Sequence, residues 1–154
     1  QYPEDMTGKK VCVIGGGAVG LDVVEFFAPR GAEVSIVEML PAIGNGIDPI
    51  SKVGTFALMD KYHVRQMPNT ALKEVRDDSF LVETPEGKET LNFDYGFVCL
   101  GMKANTPVLA ELQNAFGDEI EVINIGDSVR ARRIIEGTDE GRNILNTLEK
   151  HGYL

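Results

Sequence analysis

At 154 residues the chain is long enough to bury one sizeable core and falls within the usual range of a single domain. Its composition, 43% hydrophobic and 25% charged, is that of a globular protein, and no run of about eighteen apolar residues is present that could cross a bilayer as a helix. A formal charge of −9 argues against nucleic acid as a partner, because holding a phosphate backbone requires a clustered excess of Lys and Arg.

The opening, "QYPEDMTGKKV", is polar, lacks the apolar stretch of a secretory leader and does not begin with Met. It reads as a piece cut from something longer, with residues 1–8 as the tail of a connector. Lys10 to Ile14 is short, β-branched and almost wholly apolar, the pattern of a parallel strand covered on both faces. From Ala18 to Ala28 the residues Val19, Val23, Phe26 and Phe27 recur at helical spacing, and Gly31 supplies a stop. Pro29 removes a backbone donor, so the last turn is expected to end or kink early. "EVSIV" (Glu33 to Val37) is a second buried strand, Pro49 to Tyr62 a second helix, and Val64 to Met67 a brief third strand. This β-α-β-α-β alternation implies a parallel sheet with right-handed crossovers.

The period then changes. "ALKEV", "SFLVETP" and "KETLNFD" alternate apolar with polar residues and are separated by Arg76-Asp77-Asp78 and Pro85-Glu86-Gly87, so three antiparallel strands are expected. Tyr95 to Leu100 returns to the doubly buried type and ends at Gly101. Lys103 to Gly117 reads as a loop and short helix, Glu121 to Asp127 as a further buried strand, and Ile134 to Leu148 as a closing helix. The fold class is α/β: a Rossmann-like three-layer β-β-α domain, with a parallel sheet, helices and a three-stranded antiparallel meander.

Cys12 and Cys99 each lie inside an apolar run and read as small core residues, which fits a reducing, cytoplasmic setting. With no CxxC, and His63 and His151 far apart, no metal-ligand cluster is visible. His63 is expected to have an ordinary structural role.

Chemistry enters at the first strand-to-helix junction. Gly15, Gly17 and Gly20 have G-x-G-x-x-G spacing there. The first permits the tight turn, the second lets a pyrophosphate approach the backbone, and the third lets helix and strand pack closely. Unpaired N–H groups at the helix start, with Ala18 and Val19 beside Gly17, and the positive end of the helix dipole then hold the phosphates. Glu38, at the carboxyl end of the second strand and eighteen residues beyond Gly20, stands where an acid accepts both ribose hydroxyls of an adenosine. A 2′-phosphate at about 4 Å from that carboxylate would be repelled by about 1 to 4 kcal/mol. Met39 and Leu40 offer no cation to reverse this, so NADH is expected over NADPH.

Taken together, "KKVCVIGGGAVGLDVVEFF…GAEVSIVEMLP", the meander, "FDYGFVCLGMKANT" and "VINIGDSVRARRIIEG" resemble the nucleotide-binding half of the two-dinucleotide-domain flavoprotein reductases. "GDSVRARRIIEG" is most similar to the carboxyl end of the 2-enoate reductase and 2,4-dienoyl-CoA reductase family of NADH:flavin oxidoreductases. The resemblance implies that residues 9–118 form an NADH-binding domain and that residues 119–154 return to an FAD-binding domain. Gly126 and Asp127 would be the pair that meets the flavin's ribityl chain, and Gly101 would let backbone lie near the cofactor. It further implies NAD(H) and FAD as cofactors, FMN and a 4Fe–4S cluster in a barrel absent from these residues, and the missing flavin domains as partners. The chain departs from the family pattern at Asp22, Val24 and Ala104, where Glu, Ala and Pro are usual. A nucleotide sensor without activity and a methyltransferase are the other readings, the second disfavoured by the meander. Without its flavin-domain sheet, Glu121 to Asp127 is expected either to pair beside Tyr95 to Leu100 or to swap with another copy, which would make a homo-oligomer.

Overall fold

The computed structural model describes residues 2–117 and 119–152, which divide into a unit ending at Gly101 and a second unit beginning at Met102. In the first unit, β1 (Lys10–Ile14), β2 (Glu33–Val37), β3 (Arg65–Met67) and β7 (Tyr95–Val98) form a parallel sheet in the order β3-β2-β1-β7. β4 (Ala71–Val75), β5 (Ser79–Thr84) and β6 (Gly87–Asn92) form the antiparallel meander. Helices α1 (Ala18–Phe27) and α2 (Pro49–Lys61) complete the unit.

The alternation of side chains along β1 builds the three layers. Val11 and Val13, with Val34 and Ile36 of β2, pack into one core with Leu21, Val24 and Phe27 of α1 and Met59 of α2. Cys12 and Ile14, with Val37, point the other way into a second core with Phe80, Val82 and Leu91 of the meander. Each side chain so buried contributes on the order of 1.5–3 kcal/mol. A strand apolar at every position is thus required by the architecture, since both of its faces are covered.

Punctuation follows residue chemistry. α1 stops at Phe27, and Pro29 is accommodated in one 3₁₀ turn, Ala28–Arg30, closed by Gly31 at φ 89°. α2 starts at Asp48, whose carboxylate accepts the N–H groups of Ile50 (3.0 Å) and Ser51 (2.9 Å), with Pro49 at the first helical position. His63 takes the left-handed position after α2 at φ 54°, and the next N–H, of Val64, returns to the Met59 carbonyl at 2.9 Å. Residues before β1 join the core. Met6 is fully buried, and its N–H donates to the Arg30 carbonyl at 2.8 Å. Asp94, before β7, accepts the Lys10 N–H (2.8 Å) and the Lys9 ammonium (3.2 Å), which fixes the entry to β1.

The second unit contains α3 (Pro107–Phe116), a 3₁₀ turn at Gly126–Ser128, α4 (Ile134–Arg142) and α5 (Ile144–Lys150). Two sequence expectations are corrected here. Glu121 to Asp127 is not a strand, and β7 pairs with β1 alone among the described residues. A strand needs a neighbouring edge for its ladder; here the Asn124 amide donates to the Ser128 carbonyl (3.0 Å) and supports a turn instead. The closing helix is in fact two, broken at Asn143, whose side chain donates to the Asp139 carbonyl (2.8 Å) and ends α4.

Candidate dinucleotide site

Three strand ends and one helix start meet at the carboxyl edge of the parallel sheet, the place where open α/β sheets leave a crevice. The Gly15 N–H donates to the Val37 carbonyl and the Cys99 N–H to the Ile14 carbonyl, both at 2.7 Å, which draws the ends of β2, β1 and β7 together. Gly15 turns the chain at φ 107°; a Cβ there would lie 2.2 Å from the Cys99 oxygen, and one on Gly20 would lie 1.9 Å from the Gly15 oxygen. Neither position admits any side chain. A Cβ on Gly17, by contrast, would meet nothing within 4 Å. The first and third glycines are therefore demanded by the fold, while the second faces open space.

That space is a concavity of about 600 Å³, lined in part by Gly15, Gly17, Glu38, Met39, Asn45 and Gly101. α1 opens onto it. Gly17 is the N-cap, no side chain caps the helix, no acidic residue lies in its first turn, and the first intrahelical bond runs from the Leu21 N–H to the Gly17 carbonyl at 3.0 Å. The N–H groups of Ala18, Val19 and Gly20 precede that bond, so the dipole end is available to an anion.

Glu38 is held by backbone. Its two carboxylate oxygens accept the N–H of Gly16 (2.7 Å) and the N–H of Leu40 (2.8 Å), and no lysine or arginine pairs with it among the described residues. Gly16 in turn accepts the Gly44 N–H at 2.7 Å, so the loop after β2 is tied to the glycine turn. Sequence reasoning did not single out Gly16, Asn45 or that loop. Two further glycines, Gly44 and Gly46, both at positive φ, were the signal for it.

Of the residues singled out from sequence, Gly15, Gly17, Glu38, Met39 and Gly101 share this concavity, and Ala18, Val19 and Gly20 form the helix start beside it. Gly126 and Asp127 lie in the second unit. There Gly126, at φ 67°, donates its N–H to Glu140 (2.6 Å), which also pairs with Arg132 (2.5 Å), and Asp127 accepts the Arg132 N–H (3.1 Å). The Gly126 N–H and the Arg132 guanidinium hold the Glu140 carboxyl below its ordinary range.

A second concavity, of about 700 Å³, lies at the amino ends of β1 and β2, lined by Lys10, Glu33, His63 and Arg65 among others. The glycine turn and helix start are not there. Cys12 is buried, and desolvation pushes its thiol up to about 12; Cys99 is half-buried and shifted upward for the same reason. Both thiols are held in the unreactive neutral form. No group of three or more metal-ligating side chains occurs among the described residues, and no helix there is long and apolar enough to cross a membrane.

Comparison with known proteins places the chain in a family. Bilirubin reductase of Mediterraneibacter gnavus (strain CC55_001C) is 31% identical over 146 residues, covering 94% of this chain and 22% of that protein. NADH oxidase of Thermoanaerobacter brockii is 30% identical over 134 residues, covering 86% and 20%. A solved 2-naphthoyl-CoA reductase superposes with a TM-score of 0.68 at 30% identity, over 88% of this chain and 20% of that one. The chain thus spans about a fifth of the length of these relatives. The family described as pyridine nucleotide-disulphide oxidoreductase matches residues 1–130, and the chain belongs to it.

Proposed function

We propose that residues 9–118 are the NAD(H)-binding domain of a flavin-dependent reductase, and that residues 119–154 belong to the flavin-binding part of the same enzyme. The observation that carries this reading is that an uncapped helix start at Gly17 and the carboxylate of Glu38 line one concavity. The residues fit the dinucleotide. Backbone N–H groups of Ala18, Val19 and Gly20 take the diphosphate, Gly17 allows it to approach, and Glu38 accepts from the adenosine ribose. With both oxygens already aligned by Gly16 and Leu40, Glu38 need not reorganise, and its remaining lone pairs are free to accept hydroxyls. Met39 offers apolar surface at 69% exposure.

When bound, NADH supplies a hydride and FAD takes it up; the chain's own part is to bind and orient. No side chain is assigned as catalytic. The names of the relatives, an NADH oxidase and a bilirubin reductase, support the same chemistry for the intact enzyme. Gly126 and Asp127 are proposed to face the flavin's ribityl chain, and FMN and an iron–sulfur cluster are proposed for regions outside these residues. The intact enzyme is proposed to act in the cytoplasm.

Titrating the purified chain with NADH, NADPH and S-adenosylmethionine tests the reading. NADH is expected to bind more tightly than NADPH, S-adenosylmethionine not at all, and the isolated chain to show no reductase turnover. An absence of NADH binding would sink it.

A further inference from the structure

Several polar side chains face the candidate site, and most are bonded within the chain or already have a role in it. Both Glu38 oxygens accept backbone N–H groups, Thr70 is 2% exposed with its hydroxyl donating to the Pro68 carbonyl (3.0 Å), and the Cys99 thiol is a weak donor. Asn45 is different. It lines the same concavity, its residue is exposed, and its side chain makes no hydrogen bond within the chain among the described residues.

The position of Asn45 is not that of a loose loop tip. The preceding residue, Gly44, donates to the Gly16 carbonyl at 2.7 Å, and Ile43 is buried in the helix-side core. Three residues later Asp48 caps α2 through two N–H groups. Asn45 is thus anchored on both sides, between two glycines at φ 76° and 82°, the first of which bonds the same residue, Gly16, whose N–H orients Glu38. A carboxamide in that place brings one acceptor and two donors to the Glu38 side of the site.

The geometry points to Asn45 as a further dinucleotide-binding residue, one that hydrogen-bonds the adenosine diphosphate half of the cofactor beside Glu38. Its amide donors serve ribose and phosphate oxygens, groups that Glu38, an acceptor only, cannot satisfy. This rests on the proposed NAD(H) function, and names a second side chain for it.

The test is a calorimetric titration of the purified chain with NADH, ADP-ribose and reduced nicotinamide mononucleotide. Asn45 has an ordinary negative φ, so Asn45→Ala carries no backbone strain. This variant is expected to bind NADH and ADP-ribose about 3- to 10-fold more weakly, the loss of one or two hydrogen bonds, with no change for the mononucleotide. Asn45→Asp, which keeps the shape but places a second carboxylate beside Glu38, is expected to weaken both adenosine ligands further. Asn45→Ser guards against an alanine that disturbs the loop and is expected to fall between wild type and Asn45→Ala. Wild-type affinity for NADH in the alanine and aspartate variants would overturn the inference while leaving the NAD(H) function standing. A wild-type chain that binds neither NADH nor ADP-ribose would take both down.

Discussion

The N–H of Gly16 and the carboxylate of Glu38 are joined by a 2.7 Å hydrogen bond that spans the gap between the glycine turn and the end of β2. One residue therefore shapes the phosphate side of the site and aims the ribose side. Glu38→Ala is expected to weaken NADH binding about tenfold or more, and also to cost roughly 1–3 kcal/mol of stability, because a charge-assisted bond within the turn is lost. The gap between NADH and NADPH is expected to narrow in the same variant, since the repulsion of a 2′-phosphate disappears. Paired calorimetric and urea-unfolding measurements separate the two effects; unchanged NADH affinity would remove Glu38 from the site.

Gly17 and Gly20 are chemically identical and are expected to respond oppositely. Alanine at residue 20 places a carbon 1.9 Å from the Gly15 carbonyl oxygen, so Gly20→Ala is expected to destabilise by about 3 kcal/mol or more or to prevent folding. Alanine at residue 17 meets nothing, so Gly17→Ala is expected to fold with stability within about 1 kcal/mol of the parent while losing NADH. Thermal melts with and without NADH read both outcomes.

Burial that raises the Cys12 thiol to about 12 has a sign that can be checked. The folded chain keeps this proton where the unfolded chain, titrating near about 8.5–9, releases it, so stability falls as pH rises through that window. Between about pH 9.5 and 11, the parent is expected to lose roughly 1.4 kcal/mol per pH unit more than Cys12→Ala. At pH 8, native Cys12 is expected to resist thiol reagents until the chain is unfolded.

Asp94 titrates in the opposite sense. The Lys10 N–H and the Lys9 ammonium hold its carboxyl below the ordinary value, so it contributes stability above the unfolded pKa, lost as pH falls through the folded one. Asp94→Asn is expected to lower the melting temperature at pH 7, with the difference from the parent closing below about pH 4. A difference that does not shrink at all as the pH falls below that value would assign the effect to packing.

The parallel half of the fold was legible because a strand covered on both faces leaves a run such as Val11 to Ile14 with no polar position, and a strand-to-helix turn that must admit backbone closely shows as Gly15 and Gly20. The same logic misled at Glu121 to Asp127. Apolar residues there satisfy the pattern of a buried strand, but a pattern does not supply the neighbouring edge that a ladder needs, and a turn held by Asn124 and Ser128 forms instead. The break at Asn143 was hidden for a related reason, since helical spacing continues across it while the first segment ends in bonds that the Asn143 backbone N–H and side chain make to the Asp139 carbonyl. Asn45 escaped notice because its place depends on Gly44 meeting Gly16, a contact 28 residues apart in the chain.

The central strand acts as a partition. Because Val13 and Ile14 are chain neighbours whose side chains enter different compartments, they share no packing partner, and any coupling between their substitutions has to pass through the strand backbone that joins them. The helix-facing and meander-facing positions can accordingly be varied as two separate libraries, a freedom that a single shared interior would not give.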